Sequence, residues 1–264
     1  MPLPKKDRVI YDNNPLQLVI CQLRFPAMLR LNAEEPIDFQ ERIRDIYPLY
    51  SMGAEISLIP KEIIDQMSPQ MLAQLGATAI KSYEFVSSDK NWTLVLTRDY
   101  MALSTLKYIR WEDFRNHLSA PLQALIDLYS PSFFTRIGLR YQDLIQRSKL
   151  GLKKVKWAAL LNKSLAGELA DADISDGIEE KVSTILYRLD QYDAKAKVQH
   201  GLATVENSDE ICYLIDTDLF LEGKCEVKDA TNILGYFNER NRRIFQWCIS
   251  KRLHEAMGPK LVQT

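Results

Sequence analysis

The segment Phe133-Phe134-Thr135-Arg136-Ile137-Gly138-Leu139-Arg140-Tyr141 constrains this chain more than any other. Side chains alternate across a β-strand. In that register Phe133, Ile137, Leu139 and Tyr141 share one side. Phe134, Arg136, Gly138 and Arg140 share the other. The segment therefore reads as a strand with one face made for a core. Its other face carries two arginines about 14 Å apart, at roughly 3.4 Å per residue.

The flanking pattern extends this reading. Residues 1–15 are rich in Pro and Asn and read as an irregular lead-in. Residues 18–25 form a strand with Val19, Cys21, Leu23 and Phe25 on one face, ended by Pro26. Residues 38–47 read as an amphipathic helix through Phe39, Ile43, Ile46 and Tyr47, stopped by Pro48. Residues 49–80 hold one short strand at 56–59 and a helical turn at 69–75. Strands follow at 83–87, 92–98 and 100–106, with a turn at Ser88-Asp89-Lys90-Asn91. Trp111 to Tyr129 carries apolar residues three or four apart and predicts a helix, kinked or split by Pro121. Strand, helix, strands, helix, strand is the order of a ferredoxin-like βαββαβ unit, in which the first and last strands are neighbours. Arg24 then lies near Arg136 and Arg140.

The second half differs. A helix is expected over 155–169, then meandering strands over 181–189, 194–205 and 211–220. A last helix runs from about Asp229, a candidate N-cap, to Met257, roughly 43 Å at 1.5 Å per residue. Gly258-Pro259 stops it. The expected fold is α+β: a ferredoxin-like half over 1–148, and an antiparallel sheet with a long helix over 149–264. The second half packs with the first as one unit or stands apart from it.

Composition narrows the class of function. The chain has 264 residues, 46% hydrophobic and 26% charged, with a net charge of −1. Neither half is basic, which argues against electrostatic coating of nucleic acid. Cys21, Cys212, Cys225 and Cys248 form no CxxC pair and read as buried thiols of a cytoplasmic protein. No apolar run reaches the 18–20 residues or so of a membrane span, and the N-terminus lacks a signal-peptide pattern.

Several segments together resemble a known family. They are Tyr11-Asp12-Asn13-Asn14-Pro15-Leu16, Cys21-Gln22-Leu23-Arg24-Phe25, Phe39-Gln40 with Ile46-Tyr47-Pro48, and Tyr108-Ile109-Arg110-Trp111-Glu112-Asp113-Phe114. Arg136 to Tyr141, Leu214-Ile215-Asp216-Thr217-Asp218 and the closing helix with Phe245 complete the set. Their order is similar to that of a sporadically distributed prokaryotic family of uncharacterised proteins of about this length. The resemblance spans nearly the whole chain. It implies a full-length single-family protein from a bacterium or archaeon, and no activity, cofactor or site residue.

Four constellations are candidates for function. Arg24, Arg136 and Arg140 form an arginine face, suited by its planar forks to phosphate or carboxylate. RNA-binding sheets add exposed aromatics, and here only Phe134 accompanies the arginines. The competing reading pairs these arginines with carboxylates of the second half. Asp216 and Asp218, two apart on a strand, can hold Mg²⁺ or take those same arginines. His117, His200 and His254 show no metal-ligand spacing, and His254 suits a helix C-terminus. Arg240, Arg242, Arg243, Lys251 and Arg252 form a nucleic-acid- or partner-binding face, or a solvated one. There is no GxSxG, Walker or GxGxxG loop, and the 10 glycines leave little for phosphate cradles. No cofactor is expected.

The leading expectation is a cytoplasmic binding or regulatory protein. Its ligand would be a protein partner, a second copy in a homodimer, or a nucleic acid or nucleotide. The alternative is a metal-dependent enzyme acting on a phosphate-bearing substrate. A third reading is an accessory of a mobile defence or toxin–antitoxin locus.

Overall fold

A computed structural model describes residues 5–55, 80–205 and 208–262. The strand at 56–59 and the helical turn at 69–75 lie outside these residues. Eleven strands and six α-helices are described, with short 3₁₀ turns between them. In chain order they are β1 (Val9–Tyr11), β2 (Leu16–Arg24), α1 (Arg30–Ala33), α2 (Ile37–Ile43), β3 (Leu49–Glu55), β4 (Ile80–Val86), β5 (Trp92–Leu96) and β6 (Tyr100–Thr105). Then come α3 (Trp111–Tyr129), β7 (Phe134–Ile145), α4 (Lys163–Ala166), β8 (Val182–Arg188), β9 (Lys195–Val205), β10 (Ser208–Cys225), α5 (Ala230–Cys248), α6 (Lys251–Ala256) and β11 (Pro259–Leu261).

Nine strands form one antiparallel sheet in the order β3-β4-β5-β6-β2-β7-β10-β9-β8. The strand β2 lies between β6 and β7, so Arg24 stands directly opposite Arg136. The pairing of β7 with β10 carries the sheet from one half of the chain into the other. The lead-in is not wholly irregular: β1 pairs with β11 in a separate ribbon. One face of the large sheet is buried. Val19, Cys21, Leu23, Leu94, Leu96, Leu103, Ile137, Leu139, Tyr141, Ile215 and Leu219 point into a single core. The helix α5 crosses β7 and β10, and α3 packs on α2. The other face is half-exposed, as antiparallel sheets allow.

Pro121 neither splits nor ends α3, which runs unbroken through it. A proline inside a helix leaves the carbonyl four residues back without its donor. Here that carbonyl belongs to His117, and the hydroxyl of Tyr47 donates to it at 2.9 Å. The buried tyrosine thus replaces the missing helical bond.

Four other expectations are corrected. The helix expected over 155–169 is a series of short turns. Gly167 adopts φ +46 and breaks them, and Asn162 caps the short α4. The long last helix is two helices. Ile249 is extended and bridges to Leu161, and the side chain of Ser250 caps α6 by accepting from Leu253 N. Asp229 precedes α5 as expected, but its side chain makes no cap bond. Phe134 is buried, away from the arginines' face. A bulge in β10 between Glu222 and Cys225 shifts the ladder at this point, and Gly223 in it adopts φ +106. Strict alternation in β7 therefore holds only from Arg136 onward.

Candidate functional site

The structure brings the five sequence-chosen residues onto one sheet face and pairs most of them with each other. Arg140 makes a two-pronged contact with Asp216, at 2.8 Å from Nε and 2.5 Å from Nη2. Gln142 donates to the same carboxylate at 2.9 Å. Arg136 donates to Asp218 at 2.9 Å and to Gln22 Oε1 at 3.3 Å, and it covers the ring of Phe220. The reach of Arg136 depends on Gly138: a Cβ there would stand 2.2 Å from Nη1 of the arginine. The guanidinium lies along the strand in the space the missing side chain leaves. Arg24 contacts Gln22 at 3.3 Å and the ring of Tyr100, without an ion pair among the described residues. The face is thus a clamp across β2, β7 and β10 in which charge is matched internally. Asp216 and Asp218 both accept from arginines, and no group of three metal-ligating side chains occurs among the described residues.

The remaining candidates divide. His117 stacks on Trp92, and His200 bonds the hydroxyl of Tyr213 at 2.8 Å in the core. His254 does not serve as a helix-end cation. Its Nδ1 bonds Tyr11 Oη at 2.7 Å, and burial lowers its proton affinity. The arginines of α5 are not solvated. Arg240 is buried against Asp190, and Arg243 is held by Glu239. Lys251 and Arg252 are exposed.

A second site, which the sequence reading passed over, lies on the core side of the sheet. The end of β7, the helix α5, the β1 lead-in and the residues entering α3 surround a pocket of about 100 Å³. That is room for several waters at roughly 10–15 Å³ each. Its walls come from segments far apart in the sequence. Asn14 holds two of them together: its Oδ1 accepts from Leu16 N at 3.1 Å, and its Nδ2 donates to the carbonyl of Tyr108 at 3.1 Å. The hydroxyls of Tyr108 and Tyr141 both donate to Asn238 Oδ1, at 3.2 and 3.0 Å. Trp111 and Phe245 add further aromatic surface.

Three polar groups lining this pocket are unmatched. Asp143 is 3% exposed, and no described residue bonds its carboxyl. Burial pushes its pKa well above the ordinary carboxylate value, and the charge of Asp216 adds to the effect. Asn241 is 7% exposed, and its Oδ1 has no hydrogen-bond partner among the described residues. Arg242 is half-buried with an unpartnered Nε. The other two arginines lining the pocket are neutralised, Arg8 by Glu112 and Arg110 by Asp113. Unmet buried polar groups are rare in folded proteins and call for a reason.

Compared with known proteins, the chain matches no family model and no curated protein sequence.

The signal for this site was in the sequence. Asp143 continues the core-facing series Ile137, Leu139, Tyr141 and precedes Ile145 on the same side. Asn241 falls on the buried stripe of α5 between Phe237 and Ile244. A carboxyl and an amide in core register are the mark of the pocket.

Proposed function

We propose that this is a binding protein of the cytoplasm, and that its ligand site is the pocket beneath β7 rather than the arginine face. The observation that carries this is the unpaired Oδ1 of buried Asn241, with the buried carboxyl of Asp143, on an aromatic-walled pocket. Ligand sites are mostly apolar concavities with a few converging polar groups. A buried polar group left unpaired costs about 1–3 kcal/mol. A ligand that pairs it offsets that cost. The arginine face has no such deficit, because Asp216, Asp218, Gln22 and Gln142 already meet Arg136 and Arg140.

The enzyme reading is weaker on the same grounds. Its two metal-binding carboxylates are engaged by the arginines it needs for the substrate. We read the first half as a ferredoxin-like unit enlarged by a strand pair. The position of β2 between β6 and β7, antiparallel to both, supports this, and among the described residues four strands stand between the flanking helices where the simple unit has two. The partner-protein and defence-locus readings rest on the sequence alone.

Thermal melting of Asn241→Leu tests the pocket reading without knowledge of the ligand. Removing the unpaired buried amide oxygen should raise the melting temperature by about 2–12 °C, from roughly 1–3 kcal/mol at 2–4 °C per kcal/mol. A melting temperature several degrees below that of the wild type would show that Asn241 serves the fold and not a ligand.

A further inference from the structure

The large sheet is open at β8. Among the described residues this strand pairs with β9 alone. Two bonds just beyond its ends show which main-chain groups face β9. Leu202 N donates to Lys181 O at 2.9 Å, and Leu189 N donates to Ala194 O at 2.8 Å. Opposed residues in an antiparallel pair alternate between bonded and non-bonded. The odd-numbered residues from Lys181 to Leu189 therefore bond β9. The N–H and C=O groups of Val182, Thr184, Leu186 and Arg188 point the other way, along the open edge. Folded proteins blunt such edges with proline, lysine, a bulge or a short strand. The seven residues of β8 include neither proline nor lysine, and its pairing with β9 runs without a bulge. Instead, Val182 and Leu186 stand 55% and 60% exposed on it. We infer that β8 pairs antiparallel with β8 of a second copy of this chain, about a twofold axis at Thr184.

Parity and side-chain chemistry select that register. The free main-chain groups belong to even-numbered residues, so even-numbered residues must oppose one another. With the axis at Thr184, Val182 opposes Leu186 of the second copy, and symmetry repeats the pair. Arg188 then opposes Glu180 of the second copy. Val182, Thr184, Leu186 and Arg188 share one exposed side of the strand, and Glu180, just before it, is exposed too. Neither Arg188 nor Glu180 has an ion-pair partner among the described residues. Moving the axis by one residue spoils the match. At Ser183 it sets Leu186 against Glu180. At Ile185 it sets Val182 against Arg188 and Glu180 against Asp190. The contact is the same patch on both copies and closes at two. It joins two nine-stranded sheets through about six main-chain bonds. The opposed apolar and opposite-charge pairs add to them.

The test is sedimentation equilibrium of the full chain from about 5 to 300 µM, a range suited to a contact at the small end of specific interfaces. A monomer–dimer equilibrium is expected. Thr184→Pro should abolish it, because the N–H it removes faces the open edge, where a strand tolerates proline. Arg188→Glu should weaken dimerisation by about fivefold or more, since it sets Glu against Glu180 at both ends of the contact. The double variant Glu180→Arg with Arg188→Glu should return to within about twofold of wild type. The two positions lie roughly 27 Å apart along one extended chain, so this rescue can come only across copies. These exposed charge changes keep the test independent of any cost of the proline to the fold. A monomer throughout the range overturns the inference, as do assemblies larger than a dimer, a dimer that Thr184→Pro leaves unchanged, or a double variant as weak as Arg188→Glu.

Discussion

Replacing Gly201 by alanine should destabilise the protein by about 2–3 kcal/mol, the cost of overpacking a well-filled position. The reason is backbone, not side chain. Gly201 sits in β9 opposite Val182 of β8, and a Cβ on it would stand 1.9 Å from the carbonyl oxygen of Lys181. That oxygen accepts from Leu202 N at 2.9 Å, so it cannot retreat without breaking the ladder that attaches β8. Gly138 makes the useful contrast. Its added Cβ meets only the guanidinium end of Arg136, which can swing away. Gly138→Ala should therefore cost less, about 1 kcal/mol or under, the worth of the part-buried Arg136–Asp218 pair that it displaces. Urea unfolding of the two variants checks both. A Gly201→Ala cost no larger than that of Gly138→Ala would show that β8 is not held as described.

The second large effect is a pH dependence from Asp143. Its carboxyl is raised in the folded state by burial and by the charge of Asp216, and in the unfolded chain it returns to about 3.9. Between those values the folded state keeps a proton that the unfolded state has lost. Stability from this group is therefore complete below about pH 4 and is lost as pH rises toward the folded value, by up to roughly 1.4 kcal/mol per pH unit. Asp143→Asn mimics the protonated carboxyl and does not titrate. Its stability relative to wild type should be flat below about pH 3.5 and should grow in favour of Asn above pH 4. Unfolding curves of both proteins from pH 3 to 8 read this directly. A constant difference across that range would mean that Asp143 is solvated or paired.

The parts of the fold legible in the sequence were those set by local periodicity. The helix Trp111–Tyr129 and the core faces of β2, β5 and β7 follow from apolar spacing alone. What could not be read was set by contacts distant in sequence. The unbroken course of α3 through Pro121 depends on Tyr47, 70 residues from the carbonyl it serves. The break at Ile249 depends on a bridge to Leu161. The arginine face shows the same division. Alternation placed Arg136, Arg140, Asp216 and Asp218 on one face, but only the register of β7 against β10 shows which carboxylate each arginine takes. At the pocket, Asp143 and Asn241 were legible from their core register, and Arg242 was not. Arg242 lies among charged neighbours and reads as part of a solvated helix face, whereas α5 is buried on both sides of its stripe.

The central claim is that ligand binding belongs to the pocket at Asp143 and Asn241 and not to the arginine face. Amide chemical shifts of the full chain, recorded against a library of small polar and aromatic fragments, test it most directly. Perturbations should centre on Asn14, on Tyr108 to Trp111 and on Asn238 to Phe245, the elements that line the pocket. Perturbations centred instead on Gln22, Arg24, Arg136 and Asp218, with Asn241 and its neighbours unmoved, would contradict it.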